Sequence, residues 1–265
     1  MDEINVLKQF LDFPIGSTEE IFSQFKTLDG YVFRENKTYR KERFLYIEGK
    51  RKNKILLIAH ADTVYDSFYK KKTFSQTIVE ENNILKALSE NGKFQALGAD
   101  DRVGLAMLWL LKDSGHSLLV TDGEEGARIG SKWLKMENRD IAERINQNHQ
   151  FMIQLDRCNG SEFKCYHVGN DEFRAFIKEQ TGFSEPEFGA QTDVCSLCED
   201  ICGTNLSIGY YDNHTEYESL NIKEWLHTLQ IVRKILAKEN LPKFHLPRIS
   251  CFRRIRYSLT QFFGI

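Results

Sequence analysis

The stretch Leu97-Gly98-Ala99-Asp100-Asp101-Arg102-Val103-Gly104 sets two carboxylates after a glycine turn and directly before a run, residues 103–111, that is apolar on nearly every side. A helix apolar all round is a buried helix. Two acids at the start of such a helix need partners, because an unpaired buried carboxylate is costly and tends to take up a proton. The helix dipole helps, but a divalent cation offsets far more charge. The stretch therefore predicts that Asp100 sits between metal ions and that further ligands converge on it.

Upstream, Ile55-Leu56-Leu57-Ile58-Ala59 suits a strand buried on both faces, and it ends in His60-Ala61-Asp62. Downstream, residues 117–120 lead into Asp122-Gly123-Glu124-Glu125-Gly126, residues 151–155 into Asp156-Arg157, and residues 206–211 into Asp212-Asn213-His214-Thr215. Helical patterns alternate with these runs. Ile129, Trp133 and Met136 share one side of a first helix. Asn170 caps a second, carrying Phe173, Phe176 and Ile177, that stops near Gly182. Asn221 with Glu224 resembles a capping box for a long amphipathic helix carrying Trp225, Leu226, Leu229, Val232 and Leu236.

Nearer the N-terminus, two short helices flank Pro14-Ile15-Gly16, the second capped by Ser17 or Thr18. Aromatic, alternating strands are expected over residues 31–34 and 44–47, a solvated charge run at Lys70 to Lys72, and a β-like stretch over 74–88. The alternation of strands and helices predicts an α/β fold, a three-layer α/β/α sandwich with a central mixed, mostly parallel sheet. With no internal repeat and no low-complexity linker, residues 1–240 read as one catalytic domain and residues 241–265 as a basic amphipathic extension.

The totals narrow the function classes. A formal net charge of -2 with 28% charged residues describes a globular chain and gives no case for nucleic acid as a partner. The N-terminal MDEINVLKQF is acidic and lacks the apolar core of a secretory signal, and no run reaches membrane-spanning length. Six irregularly spaced cysteines suggest reduced thiols and a cytoplasmic setting. Cys195-x-x-Cys198, with Cys202, Cys158 and Cys165 nearby, lacks a clean pair of knuckles and reads as buried thiols rather than a structural zinc site.

His60, Asp100, Glu125, Asp156 and His214 are five candidate ligands. Sites in open α/β sheets form at the carboxyl ends of strands, so residues scattered in sequence converge there. Imidazole and carboxylate donors without cysteine fit a catalytic zinc centre, and manganese or cobalt fit by the same chemistry. Two cations sharing one carboxylate would lie about 3.5–4 Å apart. Asp62 is placed to hold the His60 imidazole. Adjacent Glu124 and Glu125 cannot point the same way, so one can ligate while the other serves the attacking water as general base.

Taken in order, His60-x-Asp62, Gly98-Ala99-Asp100-Asp101-Arg102, Glu124-Glu125, Asp156, and His214-Thr215 with Glu218 resemble the signature of the co-catalytic zinc exopeptidases, the M20/M28 metallopeptidase clan. The resemblance implies that Asp100 bridges two zinc ions, that His60 and Asp156 complete one site, and that Glu125 and His214 complete the other. It further implies Glu124 as general base and Asp62 as the orienting acid. Gln191-Thr192-Asp193 resembles a Thr-Asp segment of the clan, with a supporting role expected for Asp193. The short interval between Asp156 and His214 resembles the compact, lid-free M28-like aminopeptidases.

The implied activity is hydrolysis of a peptide bond, foremost by an aminopeptidase acting on a peptide or amino-acid-derivative substrate. An N-acyl amino-acid deacylase or carboxypeptidase, a glutaminyl-cyclase-like enzyme and a non-catalytic metal-bound scaffold are the alternatives. Tyr210, Tyr211 and Arg157 lie near ligands and read as packing residues. In the tail, Ile249, Phe252, Leu259 and Phe263 form an apolar stripe beside Arg253, Arg254 and Arg256. Membrane or protein contact through that stripe is weighed against packing on the chain's own domain, and packing is preferred. The oligomeric state is left open.

Overall fold

A computed structural model describes residues 2–68 and 76–247. The charge run at Lys70 to Lys72 and the basic stripe from Ile249 onward lie outside the described residues. In chain order the first elements are α1 (Glu3–Leu11), α2 (Glu19–Phe25), β1 (Tyr31–Glu35), β2 (Arg43–Ile47), β3 (Leu56–His60) and α3 (Tyr65–Phe68). Next come β4 (Thr77–Glu81), β5 (Ile84–Leu88), β6 (Phe94–Gln95), α4 (Ala99–Leu110), β7 (Ser117–Thr121), α5 (Ile129–Glu137) and α6 (Arg139–Asn148). The chain continues through β8 (Met152–Arg157), β9 (Phe163–Lys164), α7 (Asp171–Thr181) and α8 (Asp193–Leu197). It closes with β10 (Gly203–Ser207), β11 (Tyr210–Tyr211), β12 (Ser219–Asn221) and α9 (Ile222–Leu236).

Seven strands form the main sheet in the order β1-β2-β7-β3-β8-β10-β9. Its centre, β7-β3-β8-β10, is parallel, while the flanking pairs are antiparallel. The run at residues 55–59 supplies β3, the middle strand, and its period-two alternation divides the core. Leu57 and Ala59 join one apolar cluster with Val103, Leu105 and Trp225. Leu56 and Ile58 join another with Leu134, Ile141 and Ile145. Helices therefore cover both faces, and the molecule is the three-layer α/β/α sandwich.

Helix α4 is buried along almost its whole length, as its composition predicts. Trp225 Nε1 of α9 donates to Val103 O at 3.0 Å, tying the two helices together. Gly104 lies so close to β8 that an added Cβ would meet Leu155 O at 2.0 Å, so only glycine permits this approach. The caps at α7 match the sequence: Asn170 accepts from Phe173 N at 2.8 Å, and Gly182 ends the helix at φ 71°.

Several expectations need correction. Met136 on α5 is 68% exposed, and the helix buries Gly130, Ser131 and Leu134 instead. Thr18 stands at the N-cap of α2 and its carbonyl accepts from Phe22 N at 3.1 Å, but its side chain makes no cap bond; the hydroxyl is taken by the buried Arg43–Asp122 pair. Asn221 does cap α9, but Glu224 accepts from Tyr211 OH rather than closing a box. The run at residues 206–211 splits at Gly209 (φ 86°), where a Cβ would meet Trp225 N at 2.9 Å. The chain there leaves the main sheet for a second one, β11-β12-β5-β4 with β6 on β5, which the sequence reading does not anticipate.

Residues 241–247 pack onto the domain. Leu241 and Phe244 are buried, and Phe244 stacks against Phe151, Phe173 and Phe176. No helix among the described residues is long and apolar enough to cross a membrane.

Candidate metal centre

At the carboxyl edge of the parallel strands, two sets of side chains share one residue. His60, Asp100 and Asp156 form one set; Asp100, Glu125 and His214 form the other. Within each, the potential ligand atoms lie within 4.8 Å of one another. The five candidates scattered over the sequence therefore meet in one cleft. His60 is the last residue of β3, Asp156 lies near the end of β8, and Asp100 opens α4. Glu125 follows β7 in a loop, while His214 stands in the turn between β11 and β12 with φ 65°, a backbone region uncommon outside glycine.

The two oxygens of Asp100 divide between the sets. Oδ1 lies 3.1 Å from His60 Nε2, and Oδ2 lies 3.2 Å from His214 Nε2. His60 Nε2 is also 3.3 Å from Asp156 Oδ1, and His214 Nε2 is 3.0 Å from Glu125 Oε1. On the other edge of the His60 ring, Nδ1 lies 2.9 Å from Asp62 O and 3.4 Å from Asp62 Oδ1. A proton on Nδ1 serves that contact and leaves the Nε2 lone pair facing the carboxylates, the tautomer a metal ligand needs. Asp62 holds His60 more closely through its carbonyl than through its carboxylate. The carboxylate accepts from Glu124 N at 3.0 Å and faces Lys41 Nζ at 3.6 Å.

Neighbouring polar groups fix the acids. Thr192 Oγ1 and Gln154 Nε2 donate to Asp156 Oδ2 at 2.7 and 3.0 Å, and Asn213 Nδ2 donates to Asp100 Oδ2 at 3.0 Å. Glu218 receives Gly98 N at 2.6 Å and Asp100 N at 3.0 Å, which shapes the turn into α4. Asp101 points away from the cleft and accepts from His60 N at 3.0 Å. Asp193 is fully buried and accepts from Thr121 Oγ1 at 2.5 Å, while its neighbour Thr192 makes the direct contact with a candidate ligand. Tyr210 OH donates to Asp156 O at 3.1 Å, Tyr211 to Glu224, and Arg157 to Glu162, so all three make structural bonds.

Thr192 lies in the segment singled out for a supporting role, though that role is expected of Asp193, whereas Gln154 and Asn213 escape a sequence reading built on charged ligands. One signal was present: Gln154 stands two residues before Asp156 on the same face of an otherwise apolar strand.

The electrostatics follow from burying many acids together. Burial, then the Asp156 carboxylate, push Glu124 well above the ordinary range of a glutamate. Burial raises Asp156 to about 7 against the pull of His60. For Asp100, burial is outweighed by hydrogen bonds to His214 and His60, which hold it below the usual carboxylate range. Hydrogen bonds to Asp100 and Glu125 raise His214 to about 10. This concentration of buried negative charge is costly unless cations enter it. Each set offers one imidazole and two carboxylates and no thiolate, a donor set suited to zinc, manganese or cobalt. The residues fit a pair of divalent ions sharing Asp100.

No family model matches the chain, and no curated protein matches it in sequence. Solved structures do match in fold. Aminopeptidase PepT from Bacillus cereus superposes with a TM-score of 0.61 at 14% identity, over 89% of this chain and 98% of that one. A tripeptidase from Staphylococcus aureus gives 0.60 at 12% identity, over 89% and 98%. An aminopeptidase from the archaeon Desulfurococcus kamchatkensis gives 0.57 at 12% identity, over 88% and 94%. The chain has the fold of these peptidases, as the ordered motifs implied.

Proposed function

We propose that this chain is a metal-dependent exopeptidase of the co-catalytic type, acting foremost as an aminopeptidase on peptides. The observation that carries the reading is the division of the two Asp100 oxygens between His60 with Asp156 and Glu125 with His214. The fold shared with solved peptidases supports it. In this reading His60, Asp100, Asp156, Glu125 and His214 would hold two zinc ions, or cobalt or manganese, with Asp100 common to both sets, and residues 1–240 form the catalytic domain.

Such a pair of cations, when bound, polarises the substrate carbonyl and makes water acidic enough to attack at neutral pH. Glu124 is the general base: it takes the proton of the attacking water and returns it to the leaving amine. Cations bound among the neighbouring acids would offset the negative charge that now raises its affinity for a proton, freeing the carboxylate to act as a base. The Glu124 backbone is anchored by its N–H bond to Asp62, the acid that also borders His60. Asp62 thereby positions a ligand and the base together.

The test is turnover by purified protein supplied with zinc, cobalt or manganese, using aminoacyl amides, dipeptides and N-acyl amino acids. Cleavage of substrates with a free amino terminus supports the aminopeptidase. Cleavage confined to N-acyl amino acids would assign a deacylase or carboxypeptidase instead. No turnover of any of them under all three metals contradicts the proposal.

A further inference from the structure

Beside His214 the surface opens into a cleft of about 390 Å³, lined among others by Ile15, Tyr65, Phe94, Ala96 and Glu216. That size falls toward the lower end of the roughly 300–1,000 Å³ typical of small-ligand sites. Four distant parts of the chain build it: the turn between α1 and α2, Tyr65 at the start of α3, the β6 segment that leads into α4, and the turn after β11. Ile15 is 3% exposed and forms a firm apolar wall. Phe94 is 44% exposed, and its ring centroid lies 6.1 Å from that of Tyr217, itself 58% exposed. Lys86 Nζ lies 5.3 Å from the Phe94 ring centroid, and the two largely exposed rings side by side form an apolar patch open to a further apolar group.

His214 belongs to the cleft and to the metal centre alike, being 3.0 Å from Glu125 and 3.2 Å from Asp100. A peptide with its scissile carbonyl at that centre would lie against His214, from which the cleft opens. We infer that the cleft is a specificity subsite for a bulky apolar or aromatic side chain of the peptide, next to the bond that is cut. The inference rests on the peptidase reading. Glu216, exposed at the rim, adds a negative charge that disfavours an acidic side chain there.

The test compares kcat/KM over X-Ala and Ala-X dipeptides, with X as Phe, Leu, Ala or Asp. At one of the two positions, wild type should favour Phe and Leu over Ala by roughly tenfold, chiefly through KM. Phe94→Ala should shrink that ratio several-fold, and Ala96→Leu, which fills the cleft, should shrink it as well. A Phe/Ala ratio unchanged in both variants overturns the inference. Saturation-transfer NMR of Phe-Ala on the Glu124→Gln protein reads the same contact without turnover. Loss of ring signals on adding Phe94→Ala supports the subsite, and their persistence contradicts it. Ring contact that depends on Phe94, in a protein that cleaves nothing, would leave the subsite standing and remove the peptidase reading.

Discussion

Asp100 and Glu124 divide the chemistry between charge that is shared and charge that moves. Asp100 is held ionised by two histidines, whereas Glu124 sits among Asp156, Asp193 and Asp100 and favours its proton. Replacing Glu124 by Gln keeps the shape and removes the base. It should lower kcat by about 10²–10⁴-fold while the metal content stays at the wild-type value by elemental analysis. Thr192→Val removes the hydroxyl that fixes Asp156 Oδ2. It should weaken metal retention by about 10–100-fold in a chelator competition, with the fold preserved by circular dichroism. The charged members of the site were legible as a set: any one acid or histidine at a strand end is more often structural, as Asp122 is, but five in order fit one ligand set. Thr192, Gln154 and Asn213 were not, since a hydroxyl or amide side chain caps, bridges and turns in so many settings that its type alone points to no role.

Helix α4 shows how an element carries the site. Asp100 and Asp101 form a non-helical kink at its start, which presents Asp100, while the body disappears into the core, so its depth is set by the nearest approach to β8 at Gly104. Gly104→Ala would drive a methyl into Leu155 O and Asp101 Oδ1. It should cost about 3 kcal/mol in urea unfolding, and bound metal should fall with it, because the helix cannot shift without moving Asp100. At the end of α6, His149 is buried, with Nδ1 2.8 Å from Ile145 O and Nε2 2.7 Å from Ser117 Oγ. Burial lowers its pKa to about 4. The unfolded chain therefore binds a proton that the folded chain refuses. The stability present above pH 6.5 is lost as pH falls toward 4, by up to about 3 kcal/mol. Urea titrations from pH 7 to 4 should show this slope, and His149→Gln should reduce it, leaving the share of His116, which burial likewise lowers to about 4. Period and capping residues made most elements readable, as at Asn170 and Gly182. Residues 206–211 misled because the bend at Gly209 depends on Trp225 and Asn221, which are distant partners.

Across the whole molecule, the N-terminal segment braces the site from behind. Buried Arg102 donates to Ala61 O at 2.6 Å, Ser17 O at 2.9 Å and Pro14 O at 3.1 Å, and so joins the His60–Asp62 turn to the link between α1 and α2. Arg43 Nε meets Asp122 Oδ2 at 2.6 Å, and Asp122 Oδ1 accepts from Gly123 N at 2.7 Å at the start of the Glu124–Glu125 loop. The sandwich was readable from its strand-and-helix alternation. The second sheet was not, because β6, β11 and β12 are too short to leave a periodic signal and β12 reaches its partner β5 only from the far end of the chain. These braces fix two of the five segments that bring three acids and two histidines together, an arrangement that cations stabilise. Metal content per chain therefore tests the account most directly, measured by elemental analysis after zinc loading and gel filtration of wild type and Asp100→Asn. Two atoms per wild-type chain, falling below one in Asp100→Asn, is the expected result. A wild-type chain that retains no metal, or an Asp100→Asn chain that keeps both atoms, would contradict it.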